Sequence, residues 1–220
     1  MGFCIESLRS CCFFSSLEKI RISSKFADLN LFKTVPKEEF VPDNVKKNCY
    51  FDKDLNILQN RGYLKNLHLA QLIEHSKIQE GDNVLHIGGL TGYFSLIISK
   101  LCKKLTIIEE DKKSYENLQK NIKDFHIDNI ELFNTKLSEG CIKNSPYDII
   151  IIDCPIHKFN NDLIKQTNPQ NGKLIYIEKI KDNLSKAYKI TRNDEFNSKE
   201  YLFDVFSNFS IDKPNEEFKF

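Results

Sequence analysis

The stretch Val84-Leu85-His86-Ile87-Gly88-Gly89-Leu90-Thr91-Gly92-Tyr93 sets a short apolar run, a turn rich in glycine and the start of a second apolar run in that order. Strand, turn and helix in sequence are where a doubly wound sheet places a ligand. Glycines there let the backbone come close to that ligand, and N–H groups at a helix start can satisfy an anionic group. A carboxylate should then close the following strand to take ribose hydroxyls, and Glu109 stands about 20 residues after Gly88, the spacing of the dinucleotide fold. Neither half is strong alone. Gly88-Gly89-Leu90-Thr91-Gly92 is not G-x-G-x-x-G, and Glu109-Glu110-Asp111 reads equally well as a helix start, where carboxylates cap and complement the dipole. Asp153 follows four consecutive isoleucines on the ligand side, with strand-end capping as its plainer role. His86 either contacts a ligand carboxylate from the base of the loop or is a hydrogen-bonded structural group. Cys154 is a reactive thiol or a buried one, and His68 and His75, about two turns apart on one helix, make no metal signature.

The elements that must position these residues follow from periodicity. Tyr63, Leu67, Ala70 and Ile73 recur on one helical face, predicting an amphipathic helix that ends near Ile78. Asn83 to Ile87 reads as a buried parallel strand, Tyr93 to Cys102 as a helix and Leu105 to Ile108 as a strand. Asp111 to Phe125 reads as a helix with Asp111 at its N-cap, and Ile130 to Phe133 as a strand. Tyr147 to Asp153 should be central, because four isoleucines in a row need both faces covered. Asp162 to Thr167 reads as a short helix and Lys173 to Ile177 as a strand. Lys186 to Thr191 and Tyr201 to Phe206, flanking Arg192-Asn193-Asp194, read as an antiparallel hairpin. Alternating β and α units imply a parallel sheet with right-handed crossovers. The expected division is an irregular leader with at most one short helix over 1–30, a cap over 31–62, and an α/β domain over 63–220.

Composition narrows the function. The 220 residues carry 32 Lys+Arg against 31 Asp+Glu, a formal net charge of +1 with both signs interspersed, which argues against nucleic acid or a polybasic membrane anchor as partner. With 40% hydrophobic residues and a mean hydropathy of −0.42, the chain can bury a core of about one domain. Seven cysteines, odd in number and without a C-x-x-C pair, point to reduced thiols in a cytosol. The apolar patch from Cys11 to Phe14 is too short for a signal, no run of about 18 apolar residues exists, and Glu6 stands where myristoylation wants Ser or Thr.

From about Val35 onward the sequence resembles the protein-L-isoaspartate O-methyltransferases, S-adenosylmethionine-dependent enzymes that esterify the carboxylate of damaged aspartyl residues. Val35-Pro36-Lys37-Glu38-Glu39-Phe40-Val41-Pro42 resembles the family's V-P-R-E-x-F-V-P segment, and Tyr50-Phe51-Asp52 falls where the family has Y-x-D. Val84 to Tyr93 resembles V-L-E-I-G-x-G-x-G-Y, and Leu105 to Glu109 the strand with the ribose acid. The chain departs from the family at four places: Leu64 for the serine regarded as catalytic, Leu90 for the middle glycine, His86 for the acid before the loop, and Lys136 for the adenine-binding Asp of G-D-G. Arg61, Leu64 and the terminal Phe203-Asp204 look like a divergent bacterial branch that also lacks the serine. Asp153-Cys154-Pro155-Ile156 faintly resembles the D/N-P-P-aromatic motif of amino-group methyltransferases, with Cys154 in its second position and no aromatic.

The resemblance implies a seven-stranded, mostly parallel, doubly wound α/β sheet of the class I methyltransferase type, behind an N-terminal cap. It implies S-adenosylmethionine at Gly88, Gly89, Gly92 and Glu109, with His86 and Lys136 as further contacts. Arg61 is the expected anion contact for the acceptor, Leu64 a non-functional occupant of the serine's place, and Asp153 the group of an alternative reaction. Isoaspartyl peptides or proteins are the expected partners of a cytoplasmic monomer. A substrate carboxylate with a pKa of about 4 is ionised at neutral pH, so methyl transfer to it requires no general base and the missing serine costs orientation. Two alternatives stay open: a methyltransferase of other specificity, and a catalytically inactive member acting as a binding protein.

Overall fold

The computed structural model describes residues 30–194 and 196–211. The expected leader, with Cys4, Cys11 and Cys12, lies outside the described residues apart from Asn30. In chain order the cap contains α1 (Asn30–Thr34), a 3-10 turn (Lys37–Phe40), α2 (Asp43–Lys46) and a two-stranded ribbon, β1 (Leu55–Asn56) with β2 (Gly62–Tyr63). Then follow α3 (Asn66–Ser76), β3 (Asn83–Ile87), α4 (Tyr93–Ser99), β4 (Lys104–Ile108), α5 (Lys112–Asp124), β5 (Ile130–Phe133), β6 (Ile149–Ile152) and α6 (Asp162–Lys165). The chain closes with β7 (Lys173–Lys181), β8 (Leu184–Thr191) and β9 (Ser198–Phe206).

The main sheet has seven strands in the order β5-β4-β3-β6-β7-β8-β9. β5, β4, β3, β6 and β7 are parallel, and β8 and β9 continue antiparallel, as the hairpin reading expects. The order reverses beside β3, so the ends of β3, β4 and β6 form the switch point at which such sheets hold ligands. β6 is central, between β3 and β7, and its four isoleucines are all buried. Their period of two divides them: Ile149 and Ile151 join the cluster built from α3, α4 and the cap, while Ile150 and Ile152 join the cluster on the opposite face. That second face is covered by short pieces, Leu137, Cys141, Ile156 and Leu163, drawn from 3-10 turns, loop and the four-residue α6.

Several boundaries move for local reasons. Tyr63 belongs to β2, paired with Leu55, and α3 begins only at Asn66. It ends at Ser76 because Lys77 turns left-handed, with φ 53°. Asp111 caps α5 as expected, its Oδ1 accepting from the Ser114 N–H at 2.7 Å. β7 runs on to Lys181, because beyond Ile175 β8 continues to pair with it and Ile156 bridges to Glu178 on its other side. Phe32, Val35 and Phe40 of the cap share one buried cluster with Leu69, Phe94 and Val205. No helix among the described residues is long and apolar enough to cross a membrane.

Candidate functional site

The turn after β3 has the backbone its glycines suggest. Gly88 and Gly92 sit at φ +92° and +105°, where a side chain would be strained. Leu90, in the place of a glycine, adopts φ 49° and is buried, an arrangement costing about 1–2 kcal/mol that the surrounding packing must hold. The N–H groups of Gly88, Gly89, Leu90, Gly92 and Tyr93 are used within the chain. Those of Gly88 and Gly89 donate to the Ile108 carbonyl, that of Gly92 to Gly89, and that of Tyr93 to the Tyr63 hydroxyl at 3.1 Å. The expected anion cradle is therefore turned inward in this conformation.

Glu109 closes β4 beside that turn and is fully buried, 0% exposed. Its Oε2 accepts from the Leu90 N–H at 2.8 Å, so the sequence-predicted pair of glycine turn and acid is brought together. Arg61, which precedes β2, lies on the same carboxylate: Nη1 donates to Oε1 at 2.9 Å and Nη2 to Oε2 at 2.8 Å. The two parallel bonds make a bidentate, charge-assisted pair. Burial disfavours the guanidinium's charge, but the Glu109 bonds and charge outweigh it and hold the pKa above its ordinary value. Both terminal nitrogens of Arg61 are thus engaged in this conformation. The residue is an intramolecular partner of the expected ribose acid.

His86, mid-sheet on β3, and Asp153, just past β6, are both buried. His86 Nδ1 lies 2.8 Å from Ser95 Oγ on α4, and Nε2 lies 3.4 Å from Asp153 Oδ1 without hydrogen-bond geometry. Serine, histidine and aspartate in a row resemble a nucleophile relay, but Ser95 is 0% exposed and no substrate reaches it. Leu64 is a buried core residue in the α3 cluster. The Lys136 side chain is 77% exposed, its Nζ 3.8 Å from Glu139 Oε1. A cavity of about 40 Å³ lined by Ile87, Leu137, Ile152 and Ile156 lies at this edge of the sheet, far below the roughly 300 Å³ of an ordinary ligand pocket. A larger one of about 380 Å³ lies between the cap and α5, lined in part by Phe40, Pro42, Thr91 and Asn117 and by none of the expected site residues.

A second buried polar group was not legible in the sequence. Lys37, 0% exposed, donates from Nζ to Asn66 Oδ1 at 2.9 Å and lies 5.0 Å over the Tyr93 ring. Tyr63 Oη pairs with Thr91 Oγ1 at 2.7 Å, and Thr91 Oγ1 donates to the Phe40 carbonyl. These bonds fasten the Val35–Pro42 segment to the turn after β3. Burial pushes the Lys37 amine down to about 8. Nothing in charge patterning marks such a lysine, because its neighbours come from the cap, β2 and two helices.

The profile of the protein-L-isoaspartate(D-aspartate) O-methyltransferase family matches residues 12–206. The chain belongs to that family. A protein-L-isoaspartate O-methyltransferase of Methanococcus maripaludis is 28% identical over 142 residues, 61% of this chain and 65% of the relative, so the match spans just under two thirds of the relative's length. A solved protein-L-isoaspartate O-methyltransferase superposes with a TM-score of 0.75 at 21% identity, covering 91% of this chain and 65% of that one. A putative member from Plasmodium falciparum, solved with S-adenosyl-L-homocysteine, gives a TM-score of 0.70 at 19% identity over 89% of this chain and 96% of that one. At these identities the two structures establish the shared fold.

Within the isoaspartyl methyltransferase family, two of this member's four departures, His86 and Leu90, lie at the ends of the switch-point strands, whereas Leu64 is in the core and Lys136 is exposed. His86 and Asp153 face each other between β3 and β6, Leu90 lies in the turn, and Arg61 lies on Glu109. Arg61 was singled out from the sequence for its charge. Its partner was not, because the 48 intervening residues give no local signal of a contact.

Proposed function

We propose that this chain is an S-adenosylmethionine-dependent methyltransferase acting on the carboxylate of isoaspartyl residues in proteins. Family membership over residues 12–206 supports the reaction. The single observation that carries the site is Glu109 Oε2 at 2.8 Å from the Leu90 N–H, which sets an acid at the end of β4 against the turn after β3. In the described conformation Arg61 stands over the turn proposed to take the donor nucleoside. Arg61 Nη2 lies 3.1 Å from where a Cβ on Gly88 would stand, and both Glu109 oxygens are engaged. The acceptor carboxylate arrives ionised, so this chain has only to position it and exclude water. Leu64, apolar and buried, moves no proton, and a positioning role falls to other groups. The same reading makes the protein a cytoplasmic monomer, and the buried thiols of Cys49, Cys102, Cys141 and Cys154 accord with a reducing compartment.

Titration calorimetry with S-adenosylmethionine and its demethylated product, beside labelled-methyl incorporation into an isoaspartyl peptide, tests the reading. Binding with incorporation is the expected result. Binding with transfer only to another acceptor moves the specificity. Absence of both at millimolar ligand leaves the inactive member.

A further inference from the structure

A carboxylate offers about four lone-pair positions, and all four of Glu109's are in use. Oε1 accepts from Arg61 Nη1 and the Asp111 N–H, both at 2.9 Å; Oε2 accepts from Arg61 Nη2 and the Leu90 N–H, both at 2.8 Å. No acceptor remains for a diol. The guanidinium also takes the space over Gly88, as its 3.1 Å approach to a built Cβ shows. Two features mark it as a movable occupant. The backbone of Arg61 is fixed, its carbonyl accepting from the N–H groups of Ile57 and Leu58 at 3.1 and 2.8 Å, whereas among the described residues its side chain hydrogen-bonds only to Glu109. Its Nε is buried with no partner, so the closed position leaves one donor unsatisfied.

We propose that Arg61 is an internal occupant of the ribose position, a latch that must release Glu109 before an S-adenosyl nucleoside can bind. This rests on the methyltransferase reading above. Two neutral hydroxyls compete poorly with a bidentate guanidinium for one carboxylate, because only the guanidinium brings a full opposite charge and a rigid fork that matches both oxygens. The apparent affinity for the nucleoside is its intrinsic affinity reduced by the fraction of molecules with the latch open, so an open fraction of about 1% weakens binding about 100-fold. The position that looked like a substrate contact is, on this view, where the chain sets its own demand for cofactor.

Calorimetry with S-adenosylhomocysteine on the wild type and on Arg61→Met reads the latch directly. Arg61→Met keeps the apolar stem and frees Glu109, and it should bind at least about tenfold more tightly. Equal affinity, or weaker binding by a folded variant, overturns the latch while wild-type binding leaves the methyltransferase reading in place. Absence of binding by both folded proteins at millimolar ligand overturns that reading and the latch with it. If Arg61→Met fails to fold, the wild type alone decides, through the ¹⁵N-edited signals of the Arg61 guanidinium. Saturation with S-adenosylhomocysteine should abolish the paired Nη–H signals, and unchanged signals in the bound protein overturn the proposal.

Discussion

Arg61 and Lys37 are both basic and both inside the protein, one at the end of the parallel strands and the other beneath the cap, and the two regions treat their charge in opposite ways. Arg61 meets a carboxylate with matching fork geometry and keeps its charge, its pKa held up by Glu109 against the pull of burial. Lys37 meets an amide oxygen and aromatic faces, and burial lowers its pKa to about 8. A neutral hydrogen bond and ring faces do not replace lost water around an ammonium; a facing carboxylate comes closer to doing so. The contrast separates a pair held together by its own charges from a lysine held in place by the fold around it.

The largest effect is expected where one member of the paired site is removed. Glu109→Gln leaves the Arg61 charge buried without its counter-ion and should lower stability by about 3–5 kcal/mol in urea unfolding. A loss below about 1 kcal/mol would mean that the pair is solvated and the contrast with Lys37 false. Lys37→Met tests the other member. A fall from 10.5 to about 8 corresponds to about 3 kcal/mol of strain on the charged form. After subtraction of about 1 kcal/mol for the Asn66 hydrogen bond, the variant should be about 1–2 kcal/mol more stable at pH 7.

The pH dependence has a definite sign. Because the folded pKa lies below the unfolded one, the native state binds fewer protons than the unfolded state between about pH 8 and 10.5, and Lys37 makes stability rise through that window. Cys102, pushed up to about 12, and Tyr63 and Tyr93, raised by burial, act oppositely: the unfolded state loses their protons first, and stability falls as pH climbs past about 9 to 10. Those groups are common to wild type and Lys37→Met. The difference between the two proteins should therefore shrink steadily from pH 8 to 10.5 in paired unfolding curves, and a constant difference would rule out the lowered lysine.

Two smaller tests bound the comparison. Asp111→Ala removes the α5 cap while sparing the backbone N–H that donates to Glu109, and should cost about 1 kcal/mol. A loss several times larger would show that the Arg61 site depends on the helix start. Glu200→Gln breaks the Lys189–Glu200 pair, 2.6 Å apart with Glu200 59% exposed, and should cost less than about 1 kcal/mol, vanishing in high salt. A salt-resistant cost comparable to that at Glu109 would remove burial as the explanation for the difference between exposed and buried pairs.

Much of the fold was legible because its signals are local. β3 and β5 fall on the residues expected, β4 starts one residue earlier, and Asp111 caps α5, since period and capping chemistry both act within a few residues. Four isoleucines announced the central strand because only a position covered on both faces tolerates them. Less legible were the end of α3, where Lys77 adopts a left-handed conformation usually left to glycine, and β2, whose two residues are held by pairing to β1 rather than by any pattern of their own. The site divides in the same way. The turn after β3 and the acid after β4 could be named from spacing, whereas the inward use of the turn's N–H groups could not.

The order of elements, the switch point between β3 and β6, and the adjacency of Gly88 and Glu109 were settled by the sequence, through periodicities and spacings that a short window contains. What the tertiary structure alone decided is which charges meet. Arg61 reaches Glu109 across 48 residues and Lys37 lies under Tyr93 because the cap packs onto the α/β domain, and His86 faces Asp153 because a crossover sets β6 beside β3, all in a dry interior. In such an interior the partner, not the residue type, fixes whether a charge is held, suppressed or released.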